Sequence, residues 1–334
     1  MGRNVRLGRS SGAGMSPYPR FFFGAALSFA LAFSTRAAEA APSGAARPRI
    51  LGVAQVALYV HDIETSRKFY HDFLGYDEIF TQSNPDGTFR AALIKINDRQ
   101  SIELLPESAP ATDRLHHIAL ETDNAEGMRL YLKSRGFQVP DRVTRSEINS
   151  ASFAVEDPDG HALEFHQYLP DSVMAREAGR HLPDTRISLH MIHGGIMVRH
   201  LDAAAKFYGE VLGCTEIWRG SGNGKVLSWV NLRVPDGTDW VEFMLYTSPP
   251  PPTLQKMGVN HHVCLVVPDV AKTLELLASR PLPAGARLLN KVNTGTDHKR
   301  QITTYDPDGT RIEIMDPAPL DGQPAPSSEA PPPI

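Results

Sequence analysis

An α+β fold built from four copies of one βαβββ unit is the architecture this 334-residue sequence predicts. Three observations carry that prediction. Strand-like alternation followed by helical spacing recurs four times along the chain. The segment KFYHDFLGYDEIF (68–80) returns as KFYGEVLGCTEIW (206–218). LHHIALE (115–121) returns as NHHVCLV (260–266), with its pair of histidines intact. Self-similarity of this kind marks a chain assembled from repeated supersecondary units.

The elements follow in order. VAQVALYV (53–60) alternates as a half-buried strand does, and ETSRKFYHDFLG (64–75) carries helical spacing up to a terminating glycine. YDEIF, FRAALIKI and SIELL supply three more strands and close a unit of about 53 residues. The second unit opens with LHHIALE, has its helix at AEGMRLYLKSRG (125–136), and ends in SASFAVEDPDG and HALEFHQY. The third runs from HGGIMVRH (193–200) through KVLSWVNLRV to WVEFMLY (240–246). The fourth runs from NHHVCLVV through VAKTLELLAS to QITTYDPDG and TRIEIMD (310–316). Both even-numbered units place DPDG before their last strand, where glycine supplies the tight turn. The predicted organisation is two domains, 50–168 and 191–316, each with its own core, joined by a linker over 169–190. A Pro-rich stretch, 317–334, is expected to be disordered.

Composition is that of a soluble globular protein, 41% hydrophobic and 22% charged with a formal charge of −4, and no basic block points to nucleic acid. Residues 1–40 read as a secretory signal peptide. Arginines precede the 13-residue apolar run FFFGAALSFALAF, which is short for a bilayer span and is followed by a small-residue site, AEA. The expected location is therefore extracytoplasmic, periplasmic or secreted, with no membrane attachment after cleavage. Whether the two cysteines, Cys214 and Cys264, pair in an oxidising compartment is left open by the sequence, and Cys264, inside a strand pattern, reads as a small buried apolar residue.

The FY-x-x-x-LG helix ends, the HHIAL-type strands and the DPDG-x-x-x-E endings resemble the vicinal oxygen chelate superfamily, which includes glyoxalase I, bleomycin resistance proteins and extradiol dioxygenases. The resemblance covers about residues 50–316 and implies two paired glyoxalase-like domains, each curling its sheet into a cup around a divalent metal. Carried over unit by unit, the ligand positions fall on Gln55, His117, His193 and His262 in the first strands. In the last strands they fall on Glu103, Glu164, Glu242 and Glu313. His116 and His261 would then face the other way. The residues themselves agree with this reading: each glutamate interrupts an apolar strand (IEL, LEF, VEF, IEI), where an uncompensated carboxylate is costly to bury. Imidazole and carboxylate together suit Zn, Ni, Co, Mn or Fe(II). Whether neighbouring units share a cup, or the first pairs with the fourth, is left open.

The resemblance implies glyoxalase I-like lyase or isomerase chemistry on a small substrate with vicinal oxygens. A last-strand carboxylate, Glu164 or Glu313, would act as the base. An Fe(II) extradiol dioxygenase using His193, His262 and Glu313 is the alternative. There the family signature asks for a histidine and a tyrosine, and the chain has Thr294 and Thr303. A non-catalytic small-molecule binder is the third reading. Partners are limited to that small molecule and, at most, a second copy of the chain.

Overall fold

The computed structural model describes residues 46–109, 113–246 and 260–333. The leader expected at 1–40 lies outside the described residues, as does the proline run at 249–252. The first unit contributes β1 (Ile50–Val60), β2 (Glu78–Ser83), β3 (Phe89–Lys95) and β4 (Ser101–Pro106). The second contributes β5 (Leu115–Thr122), β6 (Thr144–Arg145), β7 (Ser150–Glu156) and β8 (Ala162–Tyr168). The third supplies β9 (His190–Val198), β10 (Thr215–Gly220), β11 (Trp229–Arg233) and β12 (Trp240–Leu245). The fourth supplies β13 (His262–Val266), β14 (Arg287–Leu288), β15 (Asn293–Thr294), β16 (Arg300–Tyr305) and β17 (Arg311–Met315).

These strands form two sheets. One has the order β2-β3-β4-β1-β5-β8-β7-β6, and the other β10-β11-β12-β9-β13-β17-β16-β14, with β15 added on β16. Neighbouring units therefore share a sheet, which decides the question the sequence left open. Within each sheet a unit's first strand lies parallel to its last, β1 on β4 and β13 on β17. The two first strands of a pair run antiparallel at the centre, β1 against β5 and β9 against β13.

The helices of the first, second and fourth units start at a side-chain cap. Asp62 accepts the N–H of Thr65 at 2.7 Å, Asn124 that of Gly127 at 2.8 Å, and Asp269 those of Ala271 and Lys272. The helix of the first unit is α-helical only over Ile63–Arg67 and then widens to π-type turns over Lys68–Phe73. Leu74 N–H bonds back to Phe69 at 2.9 Å, and the wider turn buries Phe69, Tyr70 and Phe73 together. The third unit repeats this widening over Lys206–Val211.

The two halves do not keep separate cores, contrary to the two-core expectation. Side chains of both sheets, from Val56 and Ile118 to Phe243 and Ile314, belong to one buried apolar cluster. Gly194 on β9 sits so close to Ile118 and Val56 that a methyl there would lie 2.7 Å from the Ile118 Cδ1 atom. The DPDG turns add a polar clasp between the halves. Tyr208 donates to Asp157 at 3.1 Å and Tyr70 donates to Asp306 at 3.1 Å, all four groups buried. Thus the second unit's turn grips the third unit's helix, and the fourth unit's turn grips the first's. The linker also packs inward: Lys95, fully buried, donates to the carbonyls of Glu177 and Arg180.

The stretch after Pro317, expected as a disordered tail, makes defined contacts along the edge strand β10. Ser328 N–H bonds to Arg219 at 2.9 Å, and Leu227 N–H bonds to Pro331 at 2.8 Å. An edge strand offers unpaired backbone groups, and the tail satisfies some of them. Among the described residues no helix is long and apolar enough to cross a membrane.

Candidate metal centre

The second sheet builds its site from two adjacent cross-strand rows. In one row Glu242 (β12), Gly195 (β9), His262 (β13) and Arg311 (β17) are register neighbours. In the other, two residues away along β9, the neighbours are Trp240, His193, Cys264 and Glu313. Residues two apart on a strand share a face, so all eight lie on one side of the sheet. The four donors alternate with the small side chains of Gly195 and Cys264, which leave space for them to converge.

They do converge. The ligand atoms of His193, Glu242, His262 and Glu313 all lie within 4.8 Å of one another, and all four residues are buried. Among the described residues this is the one such group of three or more His, Cys, Asp or Glu. His262 Nε2 is 3.0 Å from His193 Nε2, 3.1 Å from a Glu242 oxygen and 3.3 Å from a Glu313 oxygen. His262 Nδ1 donates to the Asn260 carbonyl at 2.9 Å, which fixes the tautomer and turns the Nε2 lone pair into the cluster. The His193 ring packs on Trp240 at 5.1 Å.

The electrostatics suit a cation. Burial pushes the Glu313 carboxyl up, but the Arg311 guanidinium and the two imidazoles outweigh it and hold the group well below the usual carboxylate range. Burial likewise opposes ionisation of Glu242, but the adjacent His262 ring holds it below its ordinary value. Against its own burial, His262 is in turn raised by Glu242 and Glu313, so an incoming cation would displace the proton that the carboxylates favour on that ring. Burial pushes His193 down, favouring the neutral ring that a metal needs. Two ionised carboxylates and two imidazoles at these separations fit a divalent first-row ion. The Cys264 thiol, raised well above its ordinary range by burial and the two carboxylates, stays neutral and serves as a small apolar spacer. Above the donors lies a cavity of about 320 Å³, lined by Trp218, Trp229, Met244, Met315 and Arg311 among others.

The first sheet arranges its four predicted ligands differently. Gln55, Glu103 and Glu164 line a cavity of about 100 Å³. Gln55 donates to Glu103 at 2.6 Å, and Glu164 pairs with His166 at 2.9 Å. His117 Nδ1 lies 2.7 Å from His116 Nδ1, and its buried Nε2 has no hydrogen-bond partner. Burial and the nearby Glu164 charge push Glu103 up to about 7, and burial pushes His117 down to about 4. In the row corresponding to Glu242–Gly195–His262, this sheet has Glu103–Ala57–His117. A methyl stands where the second cup has none.

The sequence profile of the Glyoxalase/Bleomycin resistance protein/Dioxygenase superfamily matches residues 52–165 and 189–314. The chain belongs to this superfamily. Its fold is that of the Mn(II)-bound glyoxalase from Novosphingobium aromaticivorans, at 19% identity and a TM-score of 0.61 over 80% of this chain and 83% of that one. The 2,3-dioxygenase LapB from Pseudomonas sp. KL28 is similar at 16% identity and a TM-score of 0.61, covering 84% of this chain and 97% of that one. Homoprotocatechuate 2,3-dioxygenase from Arthrobacter globiformis gives 16% and 0.59, covering 85% and 87%. An uncharacterized protein of Bacillus subtilis, YwbC, is 30% identical over 117 residues, 33% of this chain and 92% of its own length.

Within this glyoxalase–dioxygenase superfamily fold, the site residues divide cleanly. His193, Glu242, His262 and Glu313 are brought together; Gln55, Glu103 and Glu164 line a cavity on the other sheet and are hydrogen-bonded to neighbours, while His117 keeps a buried Nε2 without a partner. His261 turns away from the cluster, as expected, to Asp113 at 3.1 Å and the His161 ring at 5.3 Å. Both cysteines are free and buried. Sequence reasoning missed Gly195. A methyl there would lie 2.0 Å from His262 Cε1, so only glycine leaves the ring its place. The doubled glycine of HGGIMV was the visible signal.

Proposed function

We propose that the second cup is a metal-dependent catalytic site of the lyase or isomerase type, acting on a small substrate that presents two neighbouring oxygens. The observation that carries this is the convergence of two imidazoles and two carboxylates within 4.8 Å at the floor of a cavity. A divalent ion held by His193, Glu242, His262 and Glu313 would polarise a substrate oxygen and acidify the adjacent C–H. Glu313, on the last strand, would be the base, and Arg311 Nη2, 3.0 Å from its Oε2, orients that carboxylate on the cavity face. Trp240 and Cys264 fix the floor on either side of His193. The donors are 1–9% exposed, at the floor of that cavity.

The dioxygenase reading asks for two histidines, one carboxylate and open positions. Here Glu242 adds a second carboxylate 3.1 Å from His262, and Thr294 and Thr303 replace the expected histidine and tyrosine. The lyase or isomerase reading is therefore preferred. Independently of that reading, we propose from the leader-like composition of residues 1–40 that the protein works outside the cytoplasm, which argues against glutathione adducts as its substrate. N-terminal sequencing of the exported chain, starting near Ala41, tests that placement.

The test of function is deuterium exchange. Protein loaded with Ni(II), Mn(II) or Zn(II) is incubated with small α-hydroxyketones in D₂O and followed by NMR. Exchange at the carbon beside the carbonyl, lost in Glu313→Gln with metal still bound, is the expected result. Exchange at equal rate in Glu313→Gln refutes the assignment of the base.

A further inference from the structure

We infer that the second cup is shaped for a ligand that carries an anionic group, a carboxylate, in addition to its two chelating oxygens, and that Arg311 receives it. This rests on the metal-dependent reading above and adds the substrate class. Arg311 lies two residues before Glu313 on β17 and beside His262 in the register, so it opens onto the same concave face. Its side chain is only 19% exposed. Its Nη2 touches Glu313 Oε2 at 3.0 Å, the single ion pair it makes among the described residues. Its Nε is buried with no hydrogen-bond partner. A guanidinium has five N–H donors, and this one leaves most of them unused inside a cavity it lines.

Charge counting gives the reason. Glu242 and Glu313 together match a divalent cation, and the largely buried guanidinium is then a surplus positive charge on the cavity wall. A largely buried charge whose one partner, Glu313, also serves the metal is under-compensated, and an anionic ligand supplies the missing charge. Asp297 lines the same cavity but makes no ion pair with Arg311; its Oδ1 accepts the Lys299 N–H at 3.2 Å, and burial raises its carboxyl toward the neutral form. The other half supplies an internal control. The position corresponding to Arg311 in the first cup is Ala162, so the cation occurs in the cup whose four donors lie within 4.8 Å of one another and not in the other. Trp218, Trp229 and Met244 line the remaining cavity and suit a compact apolar or aromatic body between the chelating oxygens and the carboxylate.

The experiment uses Mn(II)-loaded protein under anaerobic conditions and two probes that differ by one carboxylate, catechol and 3,4-dihydroxybenzoate, with affinities read by calorimetry. Mn(II) affinity is measured first, so a failure of metal binding is recognised separately as a failure of the metal-dependent reading. The expected result is a preference for the carboxylated probe of about tenfold or more, the scale of a charge-assisted hydrogen bond, abolished in Arg311→Met while Mn(II) still binds. Arg311→Lys, which keeps the charge without the fork, should retain part of the preference, and it serves alone if Arg311→Met does not fold. Equal affinity for both probes in the wild type, or an undiminished preference in either variant, overturns the inference. A change in Mn(II) affinity alone would show that Arg311 merely positions Glu313, and it overturns the inference equally.

Discussion

Replacing Gly195 with alanine tests the site without touching a ligand. The added methyl would stand 2.0 Å from Cε1, 2.2 Å from Nδ1 and 2.8 Å from Nε2 of His262. Ordinary contact begins near 3.4 Å, so the ring must retreat by the difference, 1.4 Å, or the strands must part. The retreat is not free, because the ring is 1% exposed and its Nδ1 is bonded to Asn260 at 2.9 Å. A shift of that size far exceeds the roughly 0.2 Å tolerance of a metal–ligand bond. Gly195→Ala should therefore weaken metal binding by about 100-fold, the upper end of what disturbed ligand orientation costs elsewhere. The metal-free protein should lose only about 1–3 kcal/mol, as for other overpacked sites. Competition against a chromophoric chelator measures the first quantity and chemical denaturation the second. Wild-type metal affinity in a folded Gly195→Ala protein would refute the reasoning that His262 must occupy the space over residue 195.

Other consequences can be checked separately. Asp306 is fully buried, and burial with the neighbouring Asp308 charge raises its pKa to about 7 from an ordinary 3.8. The native state then holds a proton that the unfolded chain releases, so stability falls as pH rises from about 4 to about 7 and levels off above. The sum is on the order of 4 kcal/mol. Asp306→Asn keeps an acceptor for the N–H groups of Asp308 and Thr310 and should flatten that fall, raising Tm at pH 8; an unchanged pH profile contradicts it. Asp157, at the same place in the other DPDG turn, faces His161 at 2.9 Å and is held low against burial, so it should not share this behaviour. Removing residues 317–334 takes Pro319, Pro324 and Ala325 from the wall beside Trp218 and Trp240. Tryptophan emission should shift to the red with metal content unchanged; an unshifted spectrum would show that the tail does not cover these rings.

Much of this was legible in the sequence for a physical reason. Alternation with period two states which residues share a face, and together with the family resemblance it placed eight donor positions on concave surfaces, among them His117 in LHHIALE, His193 in HGGIMV, Glu242 in WVEFM and Glu313 in RIEIM. What alternation cannot state is which strand lies beside which, and so the pairing of units became visible only in the sheet order. The merging of the two cores, the grip of Tyr70 on Asp306, and the packing of the tail on β10 are contacts between distant segments, with no local periodicity to announce them. The difference between the cups has the same origin. Gln55, Glu103, His117 and Glu164 have suitable donor chemistry, but Ala57 stands opposite His117 where Gly195 stands opposite His262. One methyl group is invisible to a count of donors.

The central claim is a divalent metal in the second cup, and elemental analysis of protein purified without a histidine tag tests it most directly, alongside His262→Ala and His117→Ala. One equivalent of metal per chain, lost in His262→Ala and kept in His117→Ala, is the predicted result. Metal that survives His262→Ala and disappears with His117→Ala, or no stoichiometric metal even after reconstitution, would contradict it.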